Sequence, residues 1–146
     1  MKKELRLRLL TLCLASAVLS GAALAVDGTE FLTYEVPGTN VVLSYQIAQN
    51  GDVTITDCNE DASGELEIPS SIDGKPVTAI GKSAFEYCEL TNITVPDSVT
   101  AIGCNAFEYC QVLTNITLSK NLTAISDEMF VVCGLTEIVI PDSVTE

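Results

Sequence analysis

The chain repeats itself, and this internal repeat constrains the fold more than any other feature of the sequence. Residues 78–88 return as residues 100–110 with nine of eleven positions identical, and a weaker copy spans 123–133. Matching isoleucines, phenylalanines and cysteines are separated by 22 and then 23 residues. These landmarks are Ile80, Ile102 and Ile125; Phe85, Phe107 and Phe130; and Cys88, Cys110 and Cys133.

A period near 22 residues lies in the range of leucine-rich repeats and leaves room for one strand and one short turn or helix. In residues 90–95 the alternation points Ile93 and Val95 inward and Asn92 and Thr94 outward. One repeat cannot bury its apolar side alone, so consecutive repeats must stack. We therefore predict a leucine-rich-repeat solenoid with a parallel β-sheet on one face and short helical or irregular segments on the other. The equivalent strands are predicted at 66–68, 116–118 and 138–140.

The rest of each repeat closes the coil. A proline after the strand ends ladder bonding, and Gly103 permits a turn. The apolar spacing in residues 106–110 predicts about one helical turn. The phenylalanines are predicted to stack as a core column. The three cysteines in register are interpreted as buried free thiols, because a ladder of three cannot all pair.

The pattern I-x-x-P-x-x-V-x-x-I-G-x-x-A-F-x-x-C-x-x-L-T, at residues 93–114, resembles the BspA-type leucine-rich repeats of bacterial surface proteins. The resemblance covers residues 66–146 and implies adhesion to host matrix proteins or to other cells. Ser119, Ser126 and Met129 depart from the pattern in the third copy, which predicts a looser coil there.

Residues 1–25 are typical of an export signal. A cationic start is followed by an apolar stretch and by the small-x-small site 23–25, so cleavage would leave Val26 first. The rival interpretation is a retained membrane anchor, but the apolar run is shorter than the ~20 residues that a spanning helix needs. We predict a secreted or cell-surface protein, not inserted in the membrane after the signal is removed.

Two further regions follow the signal. Residues 26–64 are predicted to form an N-terminal β cap, in which 41–47 and 53–55 make a hairpin around Asn50-Gly51 and 31–36 adds a third strand. Residues 65–146 hold the repeats, and the last copy is incomplete at Glu146, which favours a longer parent protein. The predicted inward face of the hairpin consists of Leu43, Tyr45, Ile47, Val53 and Ile55.

The charge of the chain excludes one class of partner. Its net charge is −13, and removal of residues 1–25 takes four of seven basic residues and one of twenty acids, which leaves −16. Such a surface repels phosphate backbones, so nucleic-acid binding is excluded. It favours cations or basic patches on a partner, or it serves solubility alone.

Catalysis finds few suitable residues. The sequence has no histidine, and no recognisable catalytic motif or paired carboxylate stands out. The acidic loop 57–65 fails the calcium-loop pattern, with Ala62 where glycine is needed and Ile68 where glutamate is needed. We predict no enzyme activity, no cofactor and no metal.

The predicted function is therefore binding. Outward positions of the strands form a regular polar face suited to an extended protein partner, and the resemblance implies a host matrix or cell-surface protein. The alternative is that the chain is the non-catalytic N-terminal repeat region of a larger secreted enzyme. The predicted binding positions are Glu65, Glu67, Asn92, Thr94, Asn115, Thr117, Glu137 and Val139.

Overall fold

The computed structural model describes residues 22–24 and 30–145, in which every regular element is a β-strand. This part of the chain therefore contains no helix that could span a membrane. The strands are β1 (Ala22–Leu24), β2 (Glu30–Glu35), β3 (Val42–Ile47), β4 (Val53–Cys58), β5 (Ser63–Glu67), β6 (Ser71–Ile72), β7 (Lys75–Ile80), β8 (Glu89–Thr94), β9 (Ala101–Ile102) and β10 (Asn115–Thr117).

One strand from each of three successive repeats forms a parallel sheet in the order β10-β8-β5. Ile93 pairs with Leu66 on one side and with Ile116 on the other, and all three side chains are buried. The strands predicted near 66–68, 90–95 and 116–118 are thus confirmed. Their inward apolar residues face the core because side chains alternate along a strand.

The strand predicted at 138–140 is wrong. These residues form no strand, and the side chain of Val139 is 83% exposed. A strand is stabilised by its neighbours, and in the described chain no later coil lies against this segment. The fourth copy is held where Thr145 N–H donates to Thr123 O at 3.1 Å and the Ser143 hydroxyl donates to Leu122 O at 2.7 Å, and by partial burial of Ile138 and Val144.

The second sheet of the structure is mixed and has seven strands. In it β7 lies parallel to both β9 and β4, while β2, β3 and β4 form an antiparallel meander. The predicted hairpin and third strand are thus present, and Gly51 supplies the positive φ (90°) of the turn. Ile47 is 38% exposed instead of facing the core, because it is the last residue of β3 before the turn. β1 pairs antiparallel with β2 and lies in the predicted export signal, whose remaining residues fall outside the described chain.

Three turn segments, residues 81–88, 103–110 and 126–133, replace the predicted helical turn. In the first, the N–H groups of Phe85 and Tyr87 donate to the next coil, while those of Glu86 and Cys88 donate three residues back in their own coil. Positive φ angles interrupt helical geometry twice in each segment, at Ser83 and Tyr87, Asn105 and Tyr109, and Glu128 and Val132. A helix would keep every bond within one coil. The alternating pattern instead ties each coil to the next.

The predicted aromatic column is confirmed. Phe107 stacks on Phe85 with ring centroids 5.4 Å apart and on Phe130 at 5.6 Å. The five cysteines of the described chain form no disulfide, and Cys88 and Cys110 are buried as predicted, whereas Cys133 is half-buried. Coils therefore repeat with their landmarks in register.

Candidate protein-binding surface

The parallel sheet places six of the predicted binding residues in two straight columns. Because β5, β8 and β10 pair in register, Glu65, Asn92 and Asn115 lie side by side, and so do Glu67, Thr94 and Thr117. Asn92 and Thr94 are half-buried and the other four are exposed. We call these six residues the strand face.

Hydrogen bonds between coils hold the strand face in position. Asn115 Nδ2 donates to Asn92 Oδ1 at 3.3 Å. Beside this pair, the Thr114 hydroxyl donates to Thr91 O at 3.2 Å, and the Thr91 hydroxyl donates to Gly64 O at 3.1 Å. Side chains held by such bonds lose less conformational freedom when a partner binds.

Glu137 and Val139, the last two predicted positions, are exposed but lie outside any strand. The sequence places them in the same repeat register as Asn115 and Thr117, yet the coil that would align them does not form a ladder. The structure therefore does not bring these two residues into the columns.

A groove that the sequence did not predict adjoins the acidic end of the strand face. It has a volume of about 390 Å³ and runs between the β2–β3 connection and β5. Only tertiary structure brings these two segments together, since they lie about 30 residues apart in the chain. The groove is lined by Tyr34, Val36, Pro37, Thr39, Glu65, Glu67 and Pro69.

A partly exposed pair of aromatic rings was also not predicted from the sequence. The rings of Tyr87 and Tyr109 stack with centroids 4.8 Å apart and planes 1° from parallel, and Tyr87 is 53% exposed. The 22-residue spacing of the two tyrosines was available in the sequence. From the sequence, stacking was predicted only for the phenylalanines.

One of the three lysines of the described chain forms an ion pair with a carboxylate. Lys120 N–H donates to Asp97 Oδ1 at 3.0 Å, and its ammonium lies 3.6 Å from Oδ2. The backbone bond above all holds the pKa of Asp97 below its usual value. No group of three or more possible metal-ligating side chains occurs among the described residues. The described residues therefore form a surface with excess negative charge that is suited to contact with a partner.

The repeat registers seen in the sheet match a known sequence family. The model of the BspA-type leucine-rich repeat region, in six copies, matches residues 39–146. The chain belongs to the BspA-type leucine-rich repeat family. This match begins within the segment that we interpret as a cap and includes β3 and β4.

Solved structures of bacterial leucine-rich repeat proteins agree with this assignment. A leucine-rich repeat protein from Bacteroides capillosus is 39% identical, with a TM-score of 0.67, over 77% of this chain and 84% of its own. The leucine-rich repeat protein of T. pallidum is 32% identical, with a TM-score of 0.66, over 70% of this chain and 49% of its own.

A third structure, described as a leucine-rich cell surface protein of Faecalibacterium prausnitzii, is 30% identical, with a TM-score of 0.64, over 70% of this chain and 27% of its own. The chain thus spans about half the length of the treponemal protein and about a quarter of the Faecalibacterium protein. Among curated proteins, none matches the sequence.

Proposed function

We propose that this BspA-type chain is an exported, non-catalytic module that binds a protein partner through the strand face. The observation that carries the proposal is the register of β5, β8 and β10, which aligns six outward side chains in two columns. A flat, regularly spaced polar surface suits an extended protein segment better than a small molecule, which requires a concave site.

Two further observations support a partner outside the cell. The N-terminal sequence has the pattern of an export signal. One relative is described as a cell surface protein. The partner that we propose is a host matrix or cell-surface protein, and the negative charge of the chain favours a partner with basic patches.

We also infer that the coils form a solenoid whose N-terminal end is covered by the meander β2–β4. The end coil of a solenoid exposes an apolar cross-section that must be covered. The buried side chains of Leu43, Val53 and Ile55, together with the parallel pairing of β4 with β7, support this role.

The proposal is tested by binding of the purified chain to a panel of immobilised extracellular-matrix proteins. Replacement of Asn92, Thr94, Asn115 and Thr117 by lysine introduces bulk and positive charge into both columns. We expect the affinity for the matrix protein to fall at least tenfold, because partly desolvated charges in an interface are costly.

A matched variant carries four lysines away from the strand face, at the exposed neutral positions Thr100, Gln111, Asn121 and Thr123. This variant should bind like the original chain. Equal loss in both variants, or no loss in the first, would place the contact surface elsewhere.

A further inference from the structure

The tyrosine pair ends in an open ring face. Tyr109 stacks on Tyr87, donates its N–H to Val131 O of the third copy, and is half-buried. Tyr87 is the first ring of this column, and more than half of its surface is exposed. The face of Tyr87 that is turned away from Tyr109 is therefore accessible to another planar or cationic group.

Carboxylates lie near the Tyr87 ring, and those of Glu86 and Glu108 act on it electrostatically. Glu86 and Glu89 flank Tyr87 in the chain, and Glu89 pairs with Ser63 of β5. The acidic loop before Ser63 carries the exposed Glu60 and Asp61. The loop lies on the β5 side of β8, whereas Tyr109 precedes β10 on the opposite side. In the strand order, the acidic loop and Tyr109 therefore lie on opposite sides of Tyr87.

Both tyrosines have backbone conformations that are unusual for bulky residues. The φ angles are 64° at Tyr87 and 59° at Tyr109, where non-glycine residues are rarely found. The pKa of Tyr87 is raised by partial desolvation and then by the charges of Tyr109, Glu86 and Glu108, in accord with a negative potential at the ring. An aromatic face in a negative field attracts cations.

We propose that the open face of Tyr87, with Glu86, Glu89 and the acidic loop at 60–61, binds an arginine side chain of an extended basic peptide. A guanidinium group is planar and stacks on aromatic rings, while its N–H groups bond to carboxylates at the rim. It would continue the column Tyr87–Tyr109 as the next stacked member. This surface is separate from the strand face and does not depend on the function proposed above.

The test is a titration of the purified chain with a blocked Ser-Gly peptide that carries two arginines, beside the same peptide with two glutamines. Two-dimensional NMR follows the ring protons of the four tyrosines. We expect the arginine peptide to shift the Tyr87 resonances and leave those of Tyr45 unchanged. The glutamine peptide should cause no shift.

Variants of Tyr87 separate ring stacking from general attraction to an acidic protein. Y87A should weaken binding of the arginine peptide by about threefold to thirtyfold, the range that a cation–π contact supplies, and Y87F should retain it. E86Q should weaken binding, whereas the matched control E35Q, at an exposed carboxylate of β2, should not.

Three outcomes would overturn the proposal. The first is unchanged affinity of Y87A, and the second is equal binding of the two peptides. The third is a shift of the Tyr87 resonances by a neutral oligosaccharide but not by the arginine peptide, which would assign the surface to carbohydrate. The NMR shifts of the unsubstituted chain decide between peptide and oligosaccharide even if Y87A does not fold.

Discussion

The core cysteines act as hydrogen-bond donors between coils. Cys110 Sγ donates to Phe85 O at 3.0 Å, and Cys133 Sγ donates to Phe107 O at 2.9 Å. Each of these carbonyls also accepts the N–H of the cysteine in its own coil, so the thiol adds a second hydrogen bond that joins the two coils. The cysteine at this position therefore supplies both apolar volume and a donor.

Burial of the Cys110 thiol makes stability depend on pH. Burial first, and then the neighbouring Cys88 and Cys133, raises the pKa of Cys110 from its usual 9.0 to about 12. The unfolded chain loses this proton near its ordinary pKa, while the folded chain keeps it. The stability that the buried neutral thiol of Cys110 contributes is fully present below pH 9 and is lost as the pH rises towards about 12.

We expect the urea midpoint to fall when the pH is raised from about 8 to about 10, and C110A should reduce that slope. Tyr45 adds to this fall only near the upper end of the window, because burial and the bond to Asp73 raise its pKa in the folded chain to about 12, while its phenol in the unfolded chain titrates near its ordinary 10.0. C104A, at an exposed thiol, is the control and should keep the original slope. An unaltered slope in C110A would contradict the argument.

At the residue scale, periodicity predicted the buried column Phe85–Phe107–Phe130 and the outward direction of the strand-face residues. It did not predict Ile47, whose exposure depends on where β3 ends, or the half-burial of Asn92 and Thr94. Alternation specifies the side of a strand on which a side chain lies. How much neighbouring coils cover that side chain depends on tertiary packing.

Among the repeat elements, the close approach of neighbouring coils in the seven-stranded sheet depends on two glycines. Gly81 N–H donates to Ile55 O at 2.7 Å, and Gly103 N–H donates to Ile80 O at 2.8 Å. A Cβ on Gly103 would lie 2.7 Å from Lys82 N, so the coils approach too closely for any side chain. In the third copy the hydroxyl of Ser126 donates to Ile102 O, and residues 121–126 form no strand.

We therefore expect G103A to lower the free energy of unfolding by about 1–3 kcal/mol, because backbone atoms must move to admit the methyl group. S126A is the matched control, since that position already accommodates a Cβ. It loses one hydrogen bond, at a cost of about 1 kcal/mol. Urea denaturation measures both changes, and a smaller loss in G103A than in S126A would contradict the clash.

The turn segments mark the limit of prediction at the scale of elements. The spacing of Ala106, Phe107 and Cys110 fits one helical turn, yet these residues form consecutive turns with positive φ at Asn105 and Tyr109. The apolar spacing is the same in both geometries. The decisive factor is a neighbouring coil that accepts every second N–H group, and a local sequence window does not contain that coil.

Across the whole molecule, stability should be distributed as in a stack in which each coil contacts only its neighbours. Phe107 is fully buried between two rings, whereas Phe130 is half-buried and stacks on one ring of the described chain. The amides that join the second and third coils include those of Phe107 and Tyr109, which donate to Met129 O and Val131 O. The third coil can therefore open while the earlier coils stay folded.

Native-state hydrogen exchange can detect this partial opening. We expect F130A to accelerate exchange of the Phe107 and Tyr109 amides and to leave that of Ile93 in β8 within about twofold, because the lost packing lies in the last ordered coil. F107A should accelerate exchange at all three sites, since removal of a buried phenylalanine costs about 3–5 kcal/mol and breaks the column in its middle. If F130A accelerated exchange of Ile93 as strongly as that of Tyr109, the coils would open as one unit, and the nearest-neighbour description of this chain would be wrong.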